Sequence, residues 1–325
     1  MDVRGRRVLV TGGGGFIGSH LTERLAEHNE VTVYDSGARD ALRFTDLAEH
    51  PRVKLVRGDV LDRPLLRESA EGVDVVIHLA AVAGVPNYSS RPVATMETNM
   101  LGAANLLRVA LEIGRPLFVN FSSSEVYGPW AEAAREGDAT APGPAGVSRW
   151  TYAVSKLAAE HLCLAYHREH GLPVISIRPF NVYGPRQVGE GAVRSFVERA
   201  LRNETLHLHD DGSQRRAWCY VDDLVEGCLA CLATPGAIGE VVNLGNPDAV
   251  VSVRELAETV VELCASRSRI ESVPYAAESE VHTRSPDIGK ATALLGFRPR
   301  VALREGLART VEWQRSATRS AEEPR

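Results

Sequence analysis

The sequence predicts an α/β chain: a doubly wound parallel sheet with a smaller C-terminal α/β lobe. Three observations predict it. Short runs rich in Val, Ile and Leu alternate with helical patterns through the first half, the rhythm of βαβ units with parallel strands and helices on both faces. The first strand–helix join carries glycines spaced Gly12-x-x-Gly15-x-x-Gly18, and the second strand ends in an acid, Asp35. After Pro179 the rhythm breaks into a loop crowded with Gly, Pro and Arg, from Asn181 to Gly191, which marks a change of architecture.

Taken in order, the expected strands are Arg6–Val10, Val31–Asp35, Val53–Arg57, Val75–Leu79, Leu117–Ser122 and Val174–Pro179. Apolar periodicity places helices at Ser19–Glu27, Pro64–Ala70, Pro92–Ile113, Thr151–His170 and Glu190–Arg202. Gly114 and Gly171 stand where helix C-caps fall. Beyond the break, Leu206–His209 leads to the turn Asp210-Asp211-Gly212, then a helix at Asp222–Leu232 and a strand at Glu240–Gly245. Two more helices are expected at Val253–Ser266 and Leu303–Trp313. The division that results is a dinucleotide-binding domain of residues 1–179 plus about 217–245, and a substrate lobe of about 180–216 and 246–316. The polar stretch 317–325 is expected to fray.

The 325 residues suffice for one large core or two lobes, and 44% hydrophobic with 24% charged residues is ordinary for a globular enzyme. A net charge of −5 without long like-charge blocks argues against nucleic-acid and membrane-surface partners. No apolar run approaches the ~18–20 residues of a membrane helix. With the first strand expected by about Arg7, no signal peptide is expected, and five scattered cysteines suggest reduced thiols in the cytoplasm. Cys228-Leu-Ala-Cys231 lies in an apolar helical run, so core thiols are expected there rather than a metal or redox pair. No metal site is expected elsewhere.

The chemistry starts at the glycines. A chain that leaves a buried strand, turns sharply and starts a helix against a pyrophosphate needs residues without Cβ, and the helix N-terminus then offers free N–H groups to the phosphates. Asp35 lies about 20 residues on, where a carboxylate accepts from the adenosine ribose hydroxyls. No Arg directly follows it, so a 2′-phosphate would meet a negative charge and NAD is expected rather than NADP. Asp59 and Val60 follow the third strand, where a carboxylate and a backbone amide can take the adenine; Asp59 alone fits a turn aspartate equally well. Leu79-Ala80-Ala81 close the fourth strand with small side chains that let a cofactor lie on the backbone, and His78 is assigned no chemistry.

The deciding constellation is Ser122-Ser123-Ser124-Glu125-Val126-Tyr127-Gly128 with Tyr152-Ala-Val-Ser-Lys156. Tyr152 and Lys156 are one turn apart on a helix, so both project from one face. A phenol with a pKa near ~10 cannot act as a base at neutral pH unassisted, and a neighbouring ammonium together with a positive nicotinamide ring favours the phenolate. A strand-end hydroxyl completes a site able to take a proton from a sugar alcohol while hydride leaves. Tyr-x-x-x-Lys is common on surface helices; its coincidence with the glycine loop, Asp35 and the serine run is not.

With these motifs the chain resembles the extended short-chain dehydrogenase/reductase superfamily, in its nucleotide-sugar epimerase, dehydratase and decarboxylase branch, from about Arg7 to Trp313. The resemblance implies a Rossmann fold, and a catalytic set of Ser123, Tyr152 and Lys156 with Glu125 beside it. It implies cofactor contacts from Gly12, Gly15, Phe16, Ile17, Gly18, Asp35, Asp59, Val60, Leu79, Ala80, Ala81, Asn99, Tyr152, Lys156 and Pro179. It also implies a lobe gripping a nucleoside diphosphate sugar through Ser124, Asn181, Arg186, Arg216 and Arg284; guanidinium forks suit a pyrophosphate. A homodimer is implied, built from the helices Pro92–Ile113 and Thr151–His170.

All branches share a 4-keto sugar intermediate. The sequence reading puts C4 epimerisation first, on the breadth of that branch. Decarboxylation of a UDP-hexuronate stands second: UDP-glucuronate decarboxylases are similar at Ser123-Ser124-Glu125, Pro86-Asn87-Tyr88, Arg149-Trp150 and Arg284-Ser-Pro-Asp-Ile288. Dehydration comes third, because thymidine-sugar dehydratases carry an Asp-Glu pair where this chain has Ser124-Glu125. A non-enzymatic NAD(H) sensor is the remaining alternative, disfavoured by the presence of both Tyr152 and Lys156.

Overall fold

The computed structural model describes residues 4–274 and 281–322. In chain order the first half runs β1 (Arg7–Thr11), α1 (Phe16–Ala26), β2 (Glu30–Asp35), β3 (Val53–Arg57), α2 (Arg63–Ser69), β4 (Val75–His78), α3 (Val85–Ser90), α4 (Pro92–Met96), a π turn (Glu97–Leu101), α5 (Gly102–Glu112), β5 (Leu117–Phe121), β6 (Trp130–Ala134), α6 (Thr151–His170) and β7 (Val174–Pro179). The second half runs β8 (Val182–Tyr183), α7 (Ala192–Leu201), β9 (Leu206–His209), β10 (Arg215–Ala217), β11 (Cys219–Tyr220), α8 (Val221–Ala233), β12 (Val241–Leu244), β13 (Val250–Ser252), α9 (Val253–Cys264), β14 (Ile270–Val273), β15 (Thr283–Pro286), α10 (Gly289–Leu295) and α11 (Leu303–Glu322).

Seven parallel strands form the main sheet in the order β12-β7-β5-β4-β1-β2-β3. The order reverses between β1 and β4, and a crevice opens beyond the carboxyl ends of strands at such a switch point. Alternation along β1 sends Val8 and Val10 to the core shared with Leu21 and Leu25 of α1 and Leu224 of α8, while Leu9 enters the opposite core with Leu106 and Leu107 of α5. The edge strand β3 is only partly buried and carries Lys54 and Arg57, charges that discourage edge-to-edge pairing. A separate core joins Tyr183, Phe196 of α7, Leu208 of β9, Leu256 of α9 and Leu307 of α11. Beside it lies a four-stranded sheet, β13-β10-β15-β6, assembled from segments far apart in sequence.

Two differences from the sequence expectation bear on the site. The expected helix Pro92–Ile113 is interrupted by the π turn. One extra residue per turn there swings the Asn99 side chain inward: its Oδ1 accepts from the Val82 N–H (2.7 Å), and its Nδ2 donates to the Val82 carbonyl (3.1 Å) and the Ser155 hydroxyl (2.9 Å). At the other end, α11 continues past Trp313 to Glu322, into the stretch expected to fray. Arg309 pairs with Glu305 one turn back, and the Ser316 and Thr318 hydroxyls donate to carbonyls of the preceding turn, which extends the helix without apolar cover.

Candidate active site

The site begins where β1 meets α1. Gly12 adopts φ 73°, and a Cβ there would lie 2.6 Å from the Ala80 nitrogen, so the loops after β1 and β4 touch backbone to backbone. A Cβ on Gly18 would fall on the Gly12 carbonyl, so α1 sits directly on the turn. No side chain caps α1 at Gly15, which leaves its first-turn N–H groups for an anion. At the end of β2, Asp35 accepts from the Gly14 N–H (2.9 Å) and the Gly37 N–H (2.8 Å), closing the acid against the glycine turn. Burial pushes its carboxyl up, and the two N–H groups pull it down by less.

A cleft of about 970 Å³ opens at the switch point. Its walls include Gly12, Gly15, Phe16, Ile17, Gly18, Asp35, Asp59, Val60, Leu79, Ala80, Ala81, Tyr152, Lys156 and Pro179. Bare glycine backbone, open helix N–H groups and an acid at the rim together fit a dinucleotide. Asp59 also takes up its turn role, accepting from the Leu61 N–H (2.9 Å). Asn99, expected at the cofactor, is outside the cleft walls; it is saturated by Val82 and Ser155 and acts on the cleft only through Val82, which does line it. His78 sits 2.8 Å from the Thr11 hydroxyl, and burial first, then Lys156, lower its pKa to about 3, which keeps it neutral.

On α6, Lys156 is buried and donates to the Phe121 carbonyl at 2.5 Å, and burial draws its pKa down to about 8. Tyr152 lies one turn before it on the same helix. Burial first, then the Glu125 charge, push the Tyr152 phenol up to about 12, against its hydrogen bond with Ser123 and the charges of Arg39 and Arg149. Without a further positive charge at the ring, the phenol is protonated at neutral pH. Ser123 also accepts the Glu125 N–H at 3.1 Å. Ser124 opens the 3-10 turn Ser124–Tyr127 and is buried outside the cleft walls.

Glu125 holds two guanidinium groups. Arg284 Nη1 lies 2.5 Å from Oε1 and Arg149 Nη2 lies 2.8 Å from Oε2. Arg284 is only 2% exposed and also donates to the Gly128 carbonyl at 3.2 Å. Burial raises the Glu125 carboxyl, but Arg284 and Arg149 together outweigh it and hold it at about 2. The carboxylate is charged at neutral pH, and the trio carries a net charge of one positive unit beside Tyr152.

The other expected substrate contacts are not brought together. Arg284 lies on the catalytic side, paired with Glu125 and donating to the Gly128 carbonyl. Arg186 is turned away from the cleft toward His20 and Glu23, with Nη2 2.7 Å from the Glu23 carboxylate. Arg216 donates to the Val281 carbonyl (2.6 Å) and the Arg215 carbonyl (2.8 Å), and Asn181 Nδ2 to the Ala217 carbonyl (3.0 Å), so both hold backbone at or beside β10. Four arginines that the sequence reading passed over, Arg39, Arg43, Arg91 and Arg194, line the cleft instead. Arg39 and Arg43 lie four and eight residues beyond Asp35, outside the position directly after the acid that separates NAD from NADP.

Comparison with known proteins agrees with this geometry. A family described as NAD dependent epimerase/dehydratase matches residues 8–245. The chain is 42% identical to UDP-glucuronic acid decarboxylase 6 of Arabidopsis thaliana over 93% of its own length and 86% of that protein. It is 34% identical to the UDP-N-acetyl-alpha-D-glucosaminuronate decarboxylase of Bacillus cytotoxicus, covering 95% and 98% of the two chains. Among solved structures, UDP-glucuronic acid 4-epimerase from Bacillus cereus, in complex with UDP-glucuronic acid and NAD, superposes with a TM-score of 0.88 at 30% identity, covering 96% and 99%.

Proposed function

Because this chain belongs to the NAD dependent epimerase/dehydratase family, we propose that it is a UDP-hexuronate decarboxylase. It oxidises the sugar at C4, releases C6 as CO₂ and reduces C4 again with the same bound cofactor. The observation that carries the reading is the 42% identity to a UDP-glucuronic acid decarboxylase across nearly the whole chain. The sequence alone puts C4 epimerisation first; similarity to two decarboxylases reverses that order, and epimerisation becomes the second reading, supported by the 4-epimerase superposition.

The site supports this chemistry residue by residue. Bound NAD supplies the hydride acceptor and a positive ring charge. Tyr152 takes the C4 hydroxyl proton, and Ser123, hydrogen-bonded to Tyr152, polarises the C4 oxygen. Lys156, fixed on the Phe121 carbonyl, keeps a positive charge one helical turn below. A ketone at C4 makes the C6 carboxylate a β-keto acid, so the C5–C6 bonding electrons can pass to the C4 oxygen as CO₂ departs. Tyr152, now protonated, and Ser123 hydrogen-bond that enolate oxygen, and a proton then joins C5. The excess positive charge of Arg149 and Arg284 over Glu125 suits a sugar that brings a carboxylate at C6. Those guanidiniums bind the ground state; the barrier falls through the groups at the C4 oxygen.

The helices α4 to α6 are proposed to join two copies as a homodimer. Five buried cysteines, none in a disulfide, support a reducing compartment such as the cytoplasm. The test of the reaction is incubation with UDP-glucuronate, UDP-N-acetylglucosaminuronate and their neutral hexose counterparts, read by mass and NMR. A product lighter by CO₂ is expected from a uronate. An isomer of unchanged mass would overturn decarboxylation in favour of epimerisation.

A further inference from the structure

Across the mouth of the cleft runs a set of contacts that the proposed chemistry does not use. Arg39, four residues beyond β2, donates to the Ala83 carbonyl at 2.6 Å and forms an ion pair with Glu190, which lies in the loop before α7. Asn87 donates to the same Ala83 carbonyl (2.8 Å) and to Glu190 Oε1 (3.4 Å). The backbone makes room for this pair. Gly84 adopts φ +98° under the Glu190 carboxylate, and a Cβ there would collide with it; a Cβ on Gly189, φ +83°, would lie 2.8 Å from the Arg39 guanidinium carbon. Arg39, Ala83, Asn87, Gly189 and Glu190 all line the cleft.

The loop bearing Arg39 is tied at both ends. Inside, the Ala41 N–H donates to the Gly14 carbonyl at 2.8 Å, joining it to the glycine turn. Outside, Phe44 stands edge-on to Trp313 of α11, with ring centroids 5.1 Å apart and planes at 82°. The three loops that follow β2, β4 and β8 therefore meet over the cleft.

We propose that Arg39 and Glu190, steadied by the Phe44–Trp313 contact, form a latch that keeps the dinucleotide in its cleft between turnovers. A reaction that oxidises and re-reduces one sugar needs such retention, since cofactor lost midway strands a keto sugar; this rationale rests on the closed redox cycle proposed above. The Arg39–Glu190 pair spans the cleft beside the glycine turn, across the way out of a ligand lying there. The pair is suited to opening, because the two side chains keep 33% and 38% of their surface in solvent, where an ion pair is modest and salt-sensitive.

The test reads cofactor release, without turnover. The purified holoprotein is loaded with NADH and mixed with excess NAD, and the loss of bound-NADH fluorescence gives the dissociation rate. Glu190→Gln, nearly isosteric, is expected to release NADH about two- to fivefold faster than the parent, the range an exposed ion pair commands. Raising salt from about 0.05 to 0.5 M should speed release from the parent but not from Glu190→Gln. The charge swap Arg39→Glu with Glu190→Arg should bring the rate back toward the parent. A Glu190→Gln rate equal to the parent's, or salt acceleration equal in both, overturns the latch. Should that variant fail to fold, a salt-independent release rate in the parent overturns it alone. Failure of the decarboxylation reading would show in products and leave these rates unchanged.

Discussion

Tyr152 stands between opposing influences: burial and Glu125 raise its pKa to about 12, while Ser123, Arg39 and Arg149 pull it down. Removing the hydroxyl by Tyr152→Phe keeps the ring packing and should lower kcat by ~10²–10⁴-fold with NAD(H) content unchanged; turnover above a tenth of the parent's would place the base elsewhere. Glu125 carries a second expectation. Glu125→Gln strips the carboxylate from two guanidiniums, and breaking a buried pair costs about 3–5 kcal/mol, read by urea unfolding. Its folded pKa is depressed from the ordinary 4.5 to about 2, so the carboxylate's contribution is present above about pH 4.5 and is lost as pH falls toward 2. The stability gap between parent and variant should therefore narrow below pH 4.5; a gap constant between pH 6 and about 3.5 would contradict the pairing. For the folded fraction, KM for the uronate should rise by ~10-fold with kcat changed less, because Arg149 and Arg284 lose the carboxylate that positions them and act on the ground state. Ser123, Tyr152 and Lys156 were legible in the sequence because strand end and helix face fix them locally. The partners of Glu125 were not, since Arg284 is 159 residues away and only the fold brings the two together.

At the scale of elements, legibility followed local periodicity. The strands of the main sheet fall within about a residue of their sequence ranges, because Val- and Ile-rich runs bounded by turn residues announce themselves. The strands β10, β13 and β15, three or four residues each, did not; pairings across long sequence separation make them, and no pattern within so few residues can. The π turn was equally hidden, as one extra residue in a 22-residue apolar stretch barely disturbs its period. Its purpose is visible only in Asn99, which holds both backbone groups of Val82 at the cleft wall. Asn99→Leu would leave the Val82 N–H, the Val82 carbonyl and the Ser155 hydroxyl without that partner. At about 1–3 kcal/mol for an orphaned buried group, a loss of about 2–4 kcal/mol in urea unfolding is expected. NADH affinity should weaken as the wall loosens. Unchanged stability and affinity would mean that the π turn serves neither.

For the whole molecule, the βαβ rhythm was enough to foresee the sheet and the crevice at its switch point, while the packing of the second layer against it was not. Arg186 meets Glu23 and Arg216 meets backbone carbonyls, and the arginines lining the cleft come from three segments far apart in sequence, so no local pattern groups them. Association is the property of the whole that remains to be tested. Val93 on α4, Leu101 in the π turn and Val154 on α6 are 67%, 43% and 40% exposed, and α4 and the π turn both pack on α6. Single exposed apolar residues are ordinary, but three on adjoining helical segments mark a surface that another chain can cover. If a second copy covers it through a two-fold axis, Leu101 and Val154 are buried twice over, once per subunit. With about 40% of each surface left to bury, four such side chains contribute about 2–5 kcal/mol, a part of the ~12 kcal/mol of a nanomolar dimer. Light scattering should therefore give twice the 35.3 kDa of one chain. The double substitution Leu101→Lys with Val154→Glu should bring the mass back to that of one chain. A parent that is already monomeric, or a double variant that stays dimeric, would move the interface away from these helices.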